Sequence, residues 1–271
     1  MKLIDGRAIS KEILEKVKQE VAKKKQPPGL AIILVGDDPA SKLYINIKER
    51  ACKKTGIHFE KYLFRANVTE SDVVEKIQEL NQRSEINGIV VQLPLPKHLD
   101  EDRIILAISP EKDADGFHPV NTTLLLTGEM QIIPALAQSI MHLLRSTKVN
   151  LMHKKALVIA HSRVFYNFLA YLLQQEKIQS DFALPDKGLK LSDRADILII
   201  AAGQPKYISV NNVKEGAIII DVGINQTPTG VVGDVDAAAL ENISGYLTPV
   251  PGGVGPVTVA SLLDNVVKLS K

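Results

Sequence analysis

The stretch "KKALVIAHSRVFYNFLAYLLQQ", residues 154–175, decides the fold. Its first part, "ALVIA", is a short apolar run of the kind that fills a strand buried on both faces. After "HS" the apolar residues recur every three or four positions, as on an amphipathic helix. A strand running directly into a helix opens a βαβ unit, and in dinucleotide-binding domains the connecting turn carries glycines that let a pyrophosphate approach the backbone. Here the turn has none. The layout predicts a nucleotide-binding architecture, and the turn asks whether its seat is rebuilt or filled in.

Working outward, the same alternation runs in both directions. Upstream, the pattern predicts helices at 8–25, 39–56 and 70–83, the last opened by the cap "TESD", and strands at 29–35, 59–64 and 87–92. Around the opening stretch it predicts a helix at 134–147, strands at 155–160, 179–183, 196–200 and 217–221, and a helix at 164–175. The Pro/Gly loop "TPVPGGVGP" then precedes the helical spacing of "VTVASLLDNVVKLS". Charged helices between short apolar strands specify parallel sheets. The fold class is therefore α/β with two domains: an N-terminal catalytic domain over 1–119, and a Rossmann-like domain with a parallel sheet over 120–255. A C-terminal helix at 256–271 could pack on either half by its pattern alone.

Composition narrows the class. With 271 residues, 45% hydrophobic and 24% charged, the chain is an ordinary globular protein of two modest domains. A net charge of +2 and the absence of a basic stripe argue against a nucleic-acid partner. Apolar runs such as "ADILIIAAG" fall well short of the ~20 residues that span a bilayer, and "MKLIDGRAIS" lacks an apolar signal core, so the expectation is cytoplasmic without a membrane partner. Cys52 has no partner for a disulfide, and six scattered histidines lack ligand spacing, so no metal is expected. "NTT" at 121 and "NIS" at 242 are chance glycosylation matches.

Three places could carry chemistry. "SKLYINIKER" puts Tyr44 and Lys48 four apart on one helix face. A lysine in a closed pocket loses its proton readily enough to act as a base, whereas the bland alternative is an aromatic packed on a lysine stem. "GIVVQLPLP" presents Gln92 where a strand ends, which is where ligands bind in open α/β sheets, though turns also favour such a residue. "EKDADGF" offers Asp113 and Asp115. A carboxylate can grip an NH/NH2 edge through paired hydrogen bonds, although aspartate before glycine is also a common turn former.

In this order, "LVGDDPASKLYINIKERACKKTGI", "GIVVQLPLPKHLDE", "PEKDADGFHPVN", "ADILIIAAGQP", "GAIIIDVGIN", "GDVD" and "TPVPGGVGPVTVASLLDN" resemble the bifunctional methylenetetrahydrofolate dehydrogenase/methenyltetrahydrofolate cyclohydrolase family along essentially the whole chain. The resemblance implies a tetrahydrofolate derivative as substrate, NADP as cofactor, a place in the one-carbon chemistry that feeds purine biosynthesis, a homodimer formed through the cofactor domain, and a C-terminal helix that returns to the first domain. It places Tyr44, Lys48, Gln92 and Asp115 on catalytic positions. Lys48 would move the proton, Gln92 would tune it, Tyr44 would position it and stack near the folate, and Asp115 would anchor the pterin. Substrate contacts fall on Tyr44, Gln92, Leu93, Pro94, Asp115, Pro251, Gly252 and Gly253.

The resemblance breaks at the opening stretch. Where relatives carry Gly-Arg-Ser-x-x-Val-Gly-x-Pro, this chain has Ala160, His161, Ser162, Arg163, Val164, Phe165, Tyr166, Asn167 and Phe168, keeping only the serine. Ala160 is expected to narrow the turn and Tyr166 to occupy the phosphate seat, with the aromatic residues filling the groove. The family's Cys-His-Ser is replaced by Leu184, Pro185 and Asp186, and its Pro-Cys-Thr-Pro by "PALA". The cofactor positions that remain are His161, Ser162, Arg163, Asp186 and Ile224. Asp186 at a strand end can bind a ribose 2′-OH, which would suit NAD, although an ordinary loop aspartate is the favoured alternative with Tyr166 in place. The leading expectation is a cyclohydrolase with weak or lost NADP-dependent dehydrogenation. A second keeps both activities on a rebuilt cofactor seat, and a third is a folate-binding homologue without turnover. A short-chain dehydrogenase, which shares Tyr-x-x-x-Lys, is set aside because its N-terminal glycine loop is missing.

Overall fold

The structure, a computed structural model, describes residues 1–129, 132–228 and 230–270. In chain order the elements are β1 (Lys2–Leu3), α1 (Gly6–Val21), β2 (Gly29–Val35), α2 (Pro39–Thr55), β3 (His58–Phe64), α3 (Glu70–Gln82), β4 (Gly88–Val91), α4 (Glu101–Leu106), α5 (Pro119–Thr127), α6 (Ala135–Ser146), β5 (Lys155–Ala160), α7 (Arg163–Gln175), β6 (Gln179–Ala183), α8 (Pro185–Ser192), β7 (Ile197–Ala201), β8 (Ile218–Asp221), β9 (Asn225–Thr227), β10 (Gly230–Val232), β11 (Tyr246–Leu247) and α9 (Val254–Leu269). They form two compact units, Lys11–Ala135 with Val259–Lys271, and Met1–Ser10 with Leu136–Thr258.

The first unit is built on a parallel sheet ordered β3-β2-β4. All of β2 is buried, and its alternating side chains serve two cores. Leu30, Ile32 and Leu34 pack with Ile45 of α2 and Leu262, Leu263 and Val266 of α9. Ala31, Ile33 and Val35 pack with Val73, Ile77 and Leu80 of α3. Local chemistry fixes the helix ends. Asp38 accepts the Ser41 amide at 2.7 Å before Pro39 opens α2, and Gly56 closes that helix at φ +83°. Thr69 and Asp72 form a capping box on α3.

The second unit holds a six-stranded parallel sheet ordered β1-β11-β8-β7-β5-β6 and a β9–β10 hairpin. Its central strands are apolar and buried, as expected for strands covered on both faces.

The division of the chain differs from the sequence expectation at two points. β1 pairs with β11, Lys2 opposite Tyr246, so the first ten residues group with the dinucleotide-type unit. A two-residue strand has no readable periodicity. The boundary expected near 119 lies at 135, because Pro119 opens α5 and His118 Nδ1 caps it by accepting the Val120 amide at 3.2 Å. α8 contains Gly188, which reads as a breaker. A Cβ there would fall 2.7 Å from Ile159 Cδ1, so its absence lets the helix lie on β5. Lys271, the end of the expected last helix, lies outside the described residues.

Candidate active site

α2 presents Tyr44, Lys48 and Cys52 at successive four-residue steps, on a face it shares with buried Ile45. Lys48 is only 8% exposed. Its Nζ donates to Gln92 Oε1 at 3.0 Å. Gln92 follows the carboxyl end of β4, where its amide donates to Ile33 O at 2.9 Å. Its side-chain Nε2 donates to Leu93 O at 2.9 Å, which turns the amide oxygen toward the lysine. Burial lowers the Lys48 pKa from its ordinary value, and the negative charge of Asp115 pulls it partly back. A lysine held this way can exist neutral and accept a proton. Cys52 is fully buried, and burial pushes its thiol up to about 12, which keeps it unreactive.

The "DAD" pair divides its work. Asp113 is 2% exposed, and its carboxylate accepts Gly116 N at 3.0 Å, His118 N at 2.8 Å and Asn121 Nδ2 at 3.0 Å. It is the loop's internal frame. Asp115 makes no side-chain hydrogen bond among the described residues, and burial raises its pKa while Lys48 lowers it. Its acceptor capacity is left for a ligand. Asn265 of α9 steadies the loop by donating to Ala114 O at 2.9 Å and Ile133 O at 2.8 Å.

The expected quartet Tyr44, Lys48, Gln92 and Asp115 therefore lies in one unit. Tyr44 is half-buried, with its phenol pKa raised by burial, and its hydroxyl makes no hydrogen bond among the described residues. The lysine is held by Gln92, not by the tyrosine. Leu93 packs on the β4-side core and Pro94 is exposed, joined by a cis peptide. Pro251, Gly252 and Gly253 belong to the other unit. Gly252 adopts φ +113°, and a Cβ on Gly253 would sit 2.6 Å from Pro249 O, so this turn requires both glycines.

The turn after β5 corrects the expectation drawn from its missing glycines. None of residues 160–168 has a positive φ, so Ala160 fits without strain. Tyr166 does not enter the turn. Its hydroxyl donates to Ser180 O at 2.9 Å, and its ring lies 5.3 Å from that of Phe182, placing it against the edge strand β6. Phe165 and Phe168 are buried on the sheet-facing side of α7, so they are core residues and not groove filling. Ser162 caps α7 by accepting the Phe165 amide at 3.2 Å. The Arg163 guanidinium lies over Tyr166 and Phe182, 5.7 and 5.2 Å from the ring centroids. His161 Nε2 donates to Ala202 O at 3.0 Å. Asp186 is exposed in the first turn of α8, and Ile224 is exposed in the loop after β8.

Sequence reading missed two buried acids here. Asp234 accepts the amides of Ala202, Gly203 and Gln204 at 2.6, 3.0 and 2.9 Å. Asp221 accepts the amides of Gly223, Asp234 and Val235 at 3.0, 3.0 and 2.9 Å. Their signal was present in "DVGIN" and "GDVD", but nothing in those strings says that the Asp221 carboxylate takes the Asp234 amide.

Comparison with known proteins settles the family. The model described as "Tetrahydrofolate dehydrogenase/cyclohydrolase, catalytic domain" matches residues 4–115, and its "NAD(P)-binding domain" counterpart matches residues 134–271. The chain belongs to this tetrahydrofolate dehydrogenase/cyclohydrolase family. It is similar to the "Bifunctional protein FolD" of Campylobacter hominis, at 44% identity over 100% of this chain and 98% of that protein. Among solved structures, a bifunctional FolD from Campylobacter jejuni superposes with a TM-score of 0.93 at 38% identity, covering 100% of this chain and 98% of that one. The Trypanosoma brucei FolD, solved with NADP cofactor and an inhibitor, gives 0.92 at 34%, covering 99% and 96%. Family membership makes the chain an enzyme with an NAD(P)-binding-type domain, so the expectation that the cofactor is lost finds no support. Among the described residues no helix is long and apolar enough to cross a membrane, and no group of acidic, histidine or cysteine side chains could hold a metal.

Proposed function

We propose that the chain catalyses both family steps: oxidation of 5,10-methylenetetrahydrofolate with a nicotinamide dinucleotide, and hydrolysis of the resulting 5,10-methenyl cation to 10-formyltetrahydrofolate. The observation that carries the reading is the buried Lys48 bonded to Gln92. A lysine left in a nearly dry pocket is costly unless it works. In the hydrolytic step water attacks the cationic carbon between the two ring nitrogens, and Lys48, neutral at the moment of attack, takes the water's proton. Collapse of the adduct breaks the bond to one nitrogen, which takes the proton back from Lys48, while the adduct's hydroxyl gives its proton to solvent and becomes the formyl carbonyl on the other nitrogen. Gln92 aims the lysine and Asp115 offers the pterin its free carboxylate.

For the oxidative step the second unit suits a dinucleotide. Ser162 satisfies the Phe165 and Tyr166 amides, which leaves the Arg163 and Val164 amides at the start of α7 for a pyrophosphate. When bound, NAD(P) supplies the hydride acceptor. His161, Ser162, Arg163, Asp186 and Ile224 lie in the loops and first helical turns that follow β5, β6 and β8, the strand ends at which such sheets bind nucleotides. The test follows methenyltetrahydrofolate hydrolysis by absorbance, and NADP and NAD reduction with methylenetetrahydrofolate. Both activities are expected. Hydrolysis without reduction of either cofactor would restore the reading of a disabled dehydrogenase, and silence in both assays would leave only a folate-binding protein.

A further inference from the structure

The carbonyl of Ala202 receives a bond from a side chain of the neighbouring loop. β5 and β7 are adjacent parallel strands, and the loops leaving their carboxyl ends flank the place where an open α/β sheet binds its ligand. One loop begins with His161 and the other with Ala202. The second loop is fixed from within. Asp234, fully buried, accepts the three consecutive amides of Ala202, Gly203 and Gln204 and also Asn225 Nδ2 at 2.8 Å. Room for that carboxylate depends on Gly223, whose Cβ would fall 2.2 Å from Asp234 Cγ. The Ala202 N–H is thus committed to Asp234. Its oxygen is taken by His161 Nε2 at 3.0 Å, across to the neighbouring loop.

We propose that His161 is a positioning residue of the dinucleotide seat: it latches the turn before α7 onto the Asp234-held loop after β7, and does not itself bind phosphate. The proposal rests on the assignment of a dinucleotide to this unit. It separates two roles with different signatures. A residue that pairs with a 2′-phosphate contributes to NADP affinity alone, whereas a residue that holds two loops together contributes equally to NADP and NAD.

The experiment measures dissociation constants of NADP and NAD by titration calorimetry for wild type, His161→Ala and His161→Gln. His161→Ala is expected to weaken both nucleotides by the same factor, about three- to tenfold for one lost hydrogen bond, leaving their ratio unchanged. The glutamine amide, able to donate to the same carbonyl, should recover most of the loss. Weakening of NADP alone would make His161 a phosphate ligand, and unchanged affinities would remove its role altogether; either result overturns the latch. Failure of the wild type to bind either nucleotide would refute the dinucleotide assignment itself, and the latch with it, before any variant is compared.

Discussion

Replacing Lys48 with methionine isolates the proton from the packing. The two side chains have similar length, and the site is only 8% exposed, so methionine fills the space without the ammonium. Loss of a positioned base costs about 10²- to 10⁴-fold in turnover. Folate binding should change by no more than a few fold, because Asp115 and the loop framed by Asp113 and Asn265 are untouched. Stability should hold or rise by about 1 kcal/mol, since a desolvated charge is removed and the half-exposed Gln92 oxygen can turn to water. The pH dependence follows from the same burial. Lys48 has its folded pKa below its unfolded value of 10.5. Between those two values the unfolded chain holds the extra proton, so stability increases as pH rises through that window. Ring opening should rise with the same ionisation, as the amine becomes a base. Both slopes should disappear in the methionine variant. The assay is loss of methenyltetrahydrofolate absorbance at saturating substrate across pH, beside urea unfolding at the same values. Turnover within tenfold of wild type, or weakened binding at unchanged turnover, would refute the assignment of Lys48 to proton transfer.

Three further outcomes are expected. Tyr166→Phe removes the bond to Ser180 O and should cost about 1 kcal/mol in urea unfolding while leaving both nucleotide affinities unchanged; an unchanged urea midpoint, or an altered nucleotide affinity, would refute the placement of the hydroxyl on β6. Gly233→Ala would set a Cβ 1.9 Å from Asp221 Oδ2 in a fully packed region, an overpacking expected to cost about 3 kcal/mol; an unchanged urea midpoint would refute the close approach. Arg83 grips both oxygens of Glu60 at 2.7 and 2.8 Å and holds its pKa to about 2. Glu60→Gln should cost about 1 kcal/mol at neutral pH. That difference is present above the unfolded value of 4.5 and lost as pH falls through about 2; a gap that persists in acid would show that packing, not charge, is involved.

What could be read from the sequence follows what periodicity can encode. β2 came out at its observed limits because six apolar residues running from Gly29 to a turn admit one reading. Lys48 and Gln92 stand out as polar residues on an apolar helix face and at a strand end. Pattern alone leaves a packed lysine stem and a turn residue open, and the family resemblance gives them their expected roles. Asp113 and Asp115 are equivalent by local pattern; the resemblance singles out Asp115, and the folded loop adds the reason, since Asp113 consumes three donors and Asp115 is left free. β1 and β11 were hidden because two-residue strands exist only through their pairing partners.

Tyr166 shows where sequence reasoning reaches its limit. Aligned against a glycine, it reads as an obstruction, since the comparison supplies a position and no direction. A residue in the first turn of a helix can aim its side chain into the turn or along the adjoining strand, and the choice depends on what that strand offers. Here β6 offers the Ser180 carbonyl and the face of Phe182, with the Arg163 guanidinium above both rings. The backbone at 160 needs no positive φ and Tyr166 points away from the turn, so neither replacement strains or obstructs it. The missing glycines mark a seat built differently. With His161 turned toward Ala202, recognition of a 2′-phosphate falls to other residues of the seat.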